Sequence, residues 1–260
     1  MRGVFGPIDK NGQEEKSEVN PNLDSEQSSN QNRPASHKPL LFIFYMGRYI
    51  VFGGRKCSSM RVIAGKYRSR PLRSPRGLDI RPTSDRLRET LFNVLTAGNP
   101  TALEGTVWID LFAGTGAVGI EALSRGAKDV YFVDTLAAAT AAIRRNLAAL
   151  GIEAGYTIFN EEMKRAFWRM ERAHVAADIV FLDPPYAMKD AYGETLRALA
   201  ESSLIWAMSV VIAEHEKKFD PGDDFGSLRR FRKLEQGDAT LSFYRMGPSA
   251  DIWEPKPLHD

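Results

Sequence analysis

Asp110-Leu111-Phe112-Ala113-Gly114-Thr115-Gly116 is the stretch whose reading decides the fold. It closes an apolar run, Thr106-Val107-Trp108-Ile109-Asp110-Leu111, that reads as a buried strand. It opens a helix from Ala117 to Arg125, stopped by Gly126. Gly114-x-Gly116-x-x-Gly119 fits the dinucleotide fingerprint in its strand–turn–helix context. Glycines at such a turn let the backbone approach a ligand closely. Asp134 follows 20 residues after Gly114, where an acid gripping ribose hydroxyls is expected. The pattern suits NAD. It suits equally an adenosyl cofactor laid over the carboxyl edge of a sheet. A turn made only for packing is the bland alternative, and the acids at both strand ends argue against it.

Outward from this loop, strand and helix signals alternate. Val130 to Asp134 reads as the second strand, Leu136 to Leu150 as an Ala-rich helix ending at Gly151, and Tyr156 to Asn160 as the third strand. A helix to about Arg172 follows, then a strand at Asp178 to Leu182, a helix from about Tyr192 to Glu201, and a strand at Ser209 to Glu214. Parallel strands need crossovers, so the repeated units imply an α/β, doubly wound parallel sheet. Leu228 to Leu234 and Thr240 to Arg245 flank Gln236-Gly237-Asp238 as a hairpin. Five parallel strands and this antiparallel pair predict a seven-stranded sheet.

The fourth strand ends in Asp183-Pro184-Pro185-Tyr186. The prolines fix φ and remove two N–H donors, and Pro184 biases Asp183 away from helix. The result is a stiff corner with one carboxylate, one free carbonyl and one flat ring. A dehydrogenase has no need of it. Methyl transfer to a planar amine does, because the lone pair of an exocyclic nucleobase amine is conjugated into the ring. Asp183 and the Pro184 carbonyl can both accept from that amine, and Tyr186 can hold the base flat. Such catalysis is mainly orientation and electrostatics.

The chain of 260 residues has ordinary hydrophobic (43%) and charged (26%) content, enough for one large domain and an appendage. One cysteine, Cys57, leaves no disulfide framework within the chain, so a reducing cytoplasm is expected. Its four scattered histidines make no Cys/His zinc pattern, and no metal is expected. The formal charge of +2 hides an asymmetry. Between Arg61 and Arg88 nine Arg/Lys face two Asp, while from Glu89 to Asp260 there are 18 basic and 25 acidic residues. A basic arm on an acidic body points to a polyanion partner. The other reading is that the arginines merely solvate an irregular segment.

That arm, residues 60–97 with its first helix, begins as a small β-hairpin carrying Arg61, Lys66, Arg68, Arg70, Arg73 and Arg76. Arginine's planar fork suits phosphate, and Tyr67 could stack on a base. Arg81-Pro82-Thr83-Ser84 opens a helix with Thr83 or Ser84 as N-cap. Leu87, Leu91, Val94 and Leu95 form its apolar stripe, with Arg86 and Arg88 off it. Residues 1–59 read as a disordered or over-extended N-terminal tail. Residues 1–39 have few apolar residues, the apolar run that starts at Leu40 is broken by Arg48 and is too short for a span, and Met60 looks like a domain start. Residues 98–246 read as the catalytic domain and 247–260 as a flexible tail.

The glycine loop together with Asp183-Pro184-Pro185-Tyr186 resembles the class I S-adenosylmethionine-dependent amine methyltransferases. More narrowly, Met60-Arg61-Val62-Ile63-Ala64-Gly65, Arg81-Pro82-Thr83-Ser84-Asp85-Arg86-Leu87-Arg88-Glu89 and Glu121-Ala122-Leu123-Ser124-Arg125-Gly126-Ala127 resemble the bacterial 16S ribosomal RNA guanine-N2 methyltransferases acting at position 966. The resemblance covers about Met60 to Arg245. It implies a Rossmann-like fold with S-adenosylmethionine as cofactor. Asp110, Phe112, Gly114, Thr115 and Gly116 would lie on the methionine side, Asp134 on the ribose, and Thr135, Asn160 and Glu161 towards the adenine. The target guanine would dock at Asp183, Pro184, Pro185 and Tyr186. Ribosomal RNA of the small subunit would meet Arg61, Lys66, Arg68, Arg70, Arg73, Arg76, Arg81, Thr83 and Arg86. Two departures stand out: Thr135 occupies a position that is usually charged, and Asn160-Glu161-Glu162 replaces a small Asp-containing turn. The implied enzyme is a cytoplasmic monomer without a membrane partner. The alternatives are a DNA amino-methyltransferase, an NAD-dependent oxidoreductase, and a non-catalytic RNA-binding protein.

Overall fold

The computed structural model of the chain describes residues 60–74 and 84–247. The expectations for 1–59, for Arg76, Arg81 and Thr83, and for the tail beyond Gly247 lie outside these residues. The elements are α1 (Asp85–Leu95), β1 (Val107–Leu111), α2 (Ala117–Ser124), β2 (Asp129–Val133), α3 (Ala137–Leu150), β3 (Tyr156–Phe159), α4 (Met163–Arg172), β4 (Ala177–Leu182), α5 (Lys189–Glu201), β5 (Ile205–Glu216), β6 (Asp224–Phe225), β7 (Leu228–Gln236) and β8 (Ala239–Met246).

The strands form one mixed sheet in the order β3-β2-β1-β4-β5-β8-β7-β6. β1 to β5 are parallel, while β8, β7 and β6 continue the sheet antiparallel. The strand order reverses between β1 and β4, the switch point at which open α/β sheets bind ligands. In register, Leu111 has Val133 on one side and Leu182 on the other. The loops after β2, β1 and β4 are therefore neighbours.

Among the described residues the sheet has eight strands rather than seven. The extra one, β6, is two residues long, too short to show the alternation that marks a strand. β5 also starts at Ile205, four residues before the expected Ser209. Trp206 and Met208 are exposed there, and the register with β4 shifts between Ala177 and Ile179. That irregularity breaks the apolar pattern that sequence reading depends on. α5 starts at Lys189 rather than Tyr192, directly after the proline corner.

Two cores lie on the two sheet faces. Ile120 of α2, Ile143 and Leu147 of α3, and Leu87, Leu91 and Phe92 of α1 pack with Trp108, Phe132, Phe181 and Phe243. Phe167 and Met170 of α4 and Leu196 and Leu199 of α5 pack with Ile109, Val180, Val211 and Tyr244 on the other face. Ser84 caps α1, its hydroxyl accepting from Leu87 N–H at 3.1 Å. Gly151 ends α3 with φ +70°, as a left-handed C-cap does. Arg88 does not lie off the α1 stripe: it is fully buried. Its guanidinium donates to the Arg61 carbonyl and to Asp85 Oδ1 at 2.9 Å, so a polar partner draws it inside. Burial lowers its pKa, and Asp85 opposes that shift.

Residues 60–74 fold back on themselves through one antiparallel bridge, Arg61 to Pro71, and they lie along α2. Val62 N–H donates to Arg70 O, Ser69 N–H to Val62 O, and Leu72 N–H to Met60 O. Met60, Val62 and Leu72 join the core shared by α1 and α2. At the tip, Lys66 N–H donates to Ser124 O at 2.7 Å. Gly65, at φ +79°, is the close approach, since a Cβ there would lie 1.9 Å from the Ser124 carbonyl oxygen. Gly65→Ala is expected to cost about 2–3 kcal/mol, from the left-handed φ plus the backbone clash. Urea unfolding measures it, and a loss below about 0.5 kcal/mol would show that the turn yields freely.

Candidate active site

The glycine loop bends because three of its residues leave ordinary backbone space. Phe112 has φ +58°, Gly114 +54° and Gly116 +75°. A positive φ at a phenylalanine is uncommon and marks a constrained site. Gly116 is also the N-cap of α2, with no capping side chain. A Cβ there would meet Ile143 at 3.1 Å and Phe132 at 3.3 Å, and one at Gly119 would sit 2.3 Å from the Phe132 ring. The loop and the first turn of α2 thus lie hard against the sheet and α3, which leaves their other side for a ligand.

Asp110 is buried, and its Oδ2 accepts from Gly119 N–H at 3.0 Å. Burial pushes its carboxyl up to about 8. The Gly119 bond works against that rise, and nearby Asp134 adds to it. Since the folded pKa lies above the unfolded one, the folded state binds the proton more tightly. The contribution of this group is full below about pH 4 and is lost as pH rises through about 8. Asp110→Asn keeps an acceptor for Gly119 and cannot titrate. It is expected to flatten the fall in melting temperature of the cofactor-free protein between pH 4 and 8. An unchanged slope would assign that fall to other groups.

Asp134, at the end of β2, fastens this loop. Its Oδ2 accepts from Gly114 N–H at 2.9 Å and its Oδ1 from Leu136 N–H at 2.8 Å. Each oxygen keeps a lone pair with which it could accept from a hydroxyl. Asn160, after β3, donates through Nδ2 to the carbonyls of Asp134 and Thr135 at 3.2 and 2.9 Å. Glu161, just before α4, is engaged by that helix, at 3.0 Å from Arg165 and 3.2 Å from Arg169. Thr115 is buried, and its hydroxyl donates to Met60 Sδ at 3.6 Å.

The proline corner follows β4, beside Phe112. Asp183 N–H reaches Leu111 O at 3.4 Å, so the corner stands next to the glycine loop. Asp183 and Tyr186 are half-buried, Pro184 is buried and Pro185 is exposed. Met188 N–H donates to Pro185 O at 2.7 Å and closes the turn. From behind, the buried Tyr192 hydroxyl donates to Glu214 O at 2.9 Å and lies 3.4 Å from Pro184 O. Burial pushes that phenol's pKa up, and the Asp183 carboxylate pushes the same way, so it stays a neutral donor. The edge β3-β2-β1-β4 therefore collects Asn160, Asp134, the Asp110–Gly116 loop and Asp183–Tyr186 in one row. The α2 N-terminus, which would otherwise attract a pyrophosphate, already serves the Asp110 carboxyl, with Asp134 close by. A ligand that brings positive charge and hydroxyl donors fits this row.

The basic residues are divided along α2, whose eight residues span about 12 Å. Arg73 lies at the loop end: its N–H donates to Asn146 Oδ1 at 2.9 Å. Asn146 Nδ2 in turn donates to Arg73 O at 3.1 Å and to Thr115 O at 3.0 Å. Lys66 and Arg68 lie at the far end, in the turn attached to Ser124, with Lys66 Nζ over the half-buried Tyr67 ring. Arg70 is exposed on the return strand and Arg86 on α1. Arg61 is 3.7 Å from Asp85. A cleft of about 420 Å³ opens between the turn and α1, lined by Arg61, Arg68, Glu89, Asn93 and Arg125.

Sequence reasoning missed what fastens this segment. Glu121, fully buried in α2, accepts from Ile63 N–H at 2.7 Å, Ala64 N–H at 2.9 Å and Arg125 Nε at 2.8 Å. Ser124 Oγ accepts from Tyr67 N–H at 3.0 Å and donates to Ala64 O at 2.5 Å. A Glu and a Ser on an otherwise apolar helix that faces the core were the available signal.

Residues 60–245 match the family model described as conserved hypothetical protein 95. The chain is 30% identical over 186 residues to YlbH of Bacillus subtilis, covering 72% of this chain and 98% of that one. It is 33% identical over 157 residues to ribosomal RNA small subunit methyltransferase D of Escherichia coli K12, covering 60% of this chain and 75% of that one. The solved structure of Escherichia coli yhhF matches with a TM-score of 0.61 at 27% identity, covering 72% and 98% of the two chains.

Proposed function

This chain belongs to the conserved hypothetical protein 95 family, among the class I S-adenosylmethionine-dependent methyltransferases, and we propose that it methylates the N2 amine of a guanine in 16S ribosomal RNA of the small subunit. The observation that carries this reading is the row of strand ends, in which the Asp183–Tyr186 corner stands beside a glycine loop flanked by two acids. The relatives named as small-subunit ribosomal RNA methyltransferases support the substrate. By resemblance to the guanine-N2 enzymes, the target is the guanine at position 966.

S-adenosylmethionine, when bound, supplies a methyl group on a sulfonium. Asp134 would accept from its ribose hydroxyls, and Asp110 and the Phe112–Gly116 backbone would flank its cationic end. Thr135, Asn160 and Glu161 would border the adenine. The chain's own work is to orient the acceptor. Asp183 and the Pro184 carbonyl accept from the two amine hydrogens of the guanine, which turns the nitrogen lone pair out of conjugation. Tyr186 stacks on the base. The product amine's surplus proton is drawn towards the Asp183 carboxylate. The basic residues from Arg61 to Arg86 hold the surrounding RNA, and the target is a loop rather than a duplex.

Calorimetry tests the cofactor. S-adenosylhomocysteine is expected to bind and NAD to bind weakly or not at all; the reverse would sink the reading. Mapping N2-methylguanine in ribosomal RNA from a deletion strain, with and without this gene, tests the substrate.

A further inference from the structure

The basic residues of β7 and β8 have no part in the site described above, and they are sorted by sheet face. On the face that carries Tyr244, Arg230 pairs with Asp220 and Asp223, and Lys233 pairs with Asp220. The loop before β6 neutralises that side. On the opposite face, shared with Leu241, Phe243 and α1, Arg229 pairs with Asp224. Arg232 and Arg245 form no ion pair among the described residues. They lie on rings instead: the Arg245 guanidinium is 5.2 Å from the Phe231 ring centre and that of Arg232 is 5.9 Å from Phe243.

Phe231 stands out because a bulge puts it there. The β7–β8 register shifts between Arg230 and Arg232, so Phe231 has no partner position. Bulges re-aim a side chain. Here the shift leaves an aromatic ring 46% exposed, tilted against the buried Phe243 with centroids 6.2 Å apart. An exposed ring between guanidinium groups is a platform on which a base stacks while the cations meet phosphate. The register ties it to the active site. Arg232 pairs with Phe243, Phe243 with Ile212 and Ile212 with Phe181, two residues before Asp183. Three strand spacings put the platform about 14 Å across the sheet from β4.

We propose that Phe231, Arg232 and Arg245 form a second RNA-contact surface, which holds the strand a few nucleotides from the methylated base. It rests on the reading of the chain as a ribosomal RNA methyltransferase. Unlike the arm, it lies on the antiparallel half of the sheet, so the substrate would be held at two separate surfaces.

The test is the doubly substituted chain Arg232→Gln, Arg245→Gln, with Phe231→Ala made separately, on small subunits from the deletion strain. Both variants are expected to raise KM for the particle about tenfold, with kcat at saturation and S-adenosylhomocysteine affinity unchanged. In the double variant the slope of log affinity against log salt should become shallower by about 1.5–2, the share of two phosphate contacts. An unchanged KM and slope, with wild type binding particles normally, would return these residues to ring caps. A raised KM with an unchanged slope would mean a ribosomal protein contact and would equally overturn the RNA assignment. Wild type that fails to bind or methylate particles would defeat the underlying reading itself, before any variant is compared.

Discussion

Asp183→Ala is expected to lower kcat for methyl transfer by about 10²–10³ while S-adenosylhomocysteine affinity stays within about twofold of wild type. The split follows from where the contacts fall. The glycine loop is fastened by Asp134 and Asp110, and neither uses the Asp183 side chain. The corner is expected to keep its shape without the carboxylate, because Pro184, Pro185, the Met188–Pro185 bond and the buried Tyr192 hydroxyl all remain. On the proposed reading, what disappears is one of two acceptors for the guanine amine. Asp183→Asn retains a neutral oxygen acceptor and should lie between the two. Single-turnover transfer to purified small subunits measures the effect. Wild-type rates in the alanine variant would make the corner structural only.

Glu121→Ala is expected to destabilise the fold by about 3 kcal/mol and to weaken RNA binding together with it. Its carboxylate is fully buried and receives two backbone N–H groups from the arm and the Arg125 guanidinium. Removing it leaves three donors without their acceptor, each costing on the order of 1 kcal/mol or more. The arm then loses its hold at Ile63 and Ala64, and its arginines lose their fixed position. S-adenosylhomocysteine affinity should change little, because the loop end is fastened separately through Asn146. Glu121→Gln preserves the volume but turns an N–H₂ towards a donor, and should recover part of the stability. Chemical unfolding and filter binding, run on the same preparations, separate the two effects. A variant of normal stability would show that the carboxylate is dispensable.

The parallel sheet and the row of strand ends were legible because they leave local signatures. Buried parallel strands are unbroken apolar runs, glycines mark positive φ, and prolines announce the corner. β6 left no signature, and the bulged start of β5 left a misleading one, Trp206 and Met208 in what looks like a loop. Arg88 shows a further limit. A helical wheel sorts residues by apolarity, so a guanidinium drawn inward by the Arg61 carbonyl is assigned to solvent. Glu121 and Ser124 were visible as motif residues, but their partners are 57 to 60 positions away, beyond any local pattern. The ring platform on β7 depends on a register shift that no period in the sequence announces.

That same separation sets a clock during synthesis. Tyr67 leaves the ribosome 57 residues ahead of Ser124, the acceptor of its amide. At about 5–20 residues per second the wait is roughly 3–11 s. For that time the Ile63, Ala64, Lys66 and Tyr67 amides lack their α2 acceptors, and Met60, Val62 and Leu72 lack the α2 surface they cover. The hairpin, although made before α2, thus cannot complete its packing until α2 is made. Its docking waits on a non-local contact with α2, a kind of contact that slows folding.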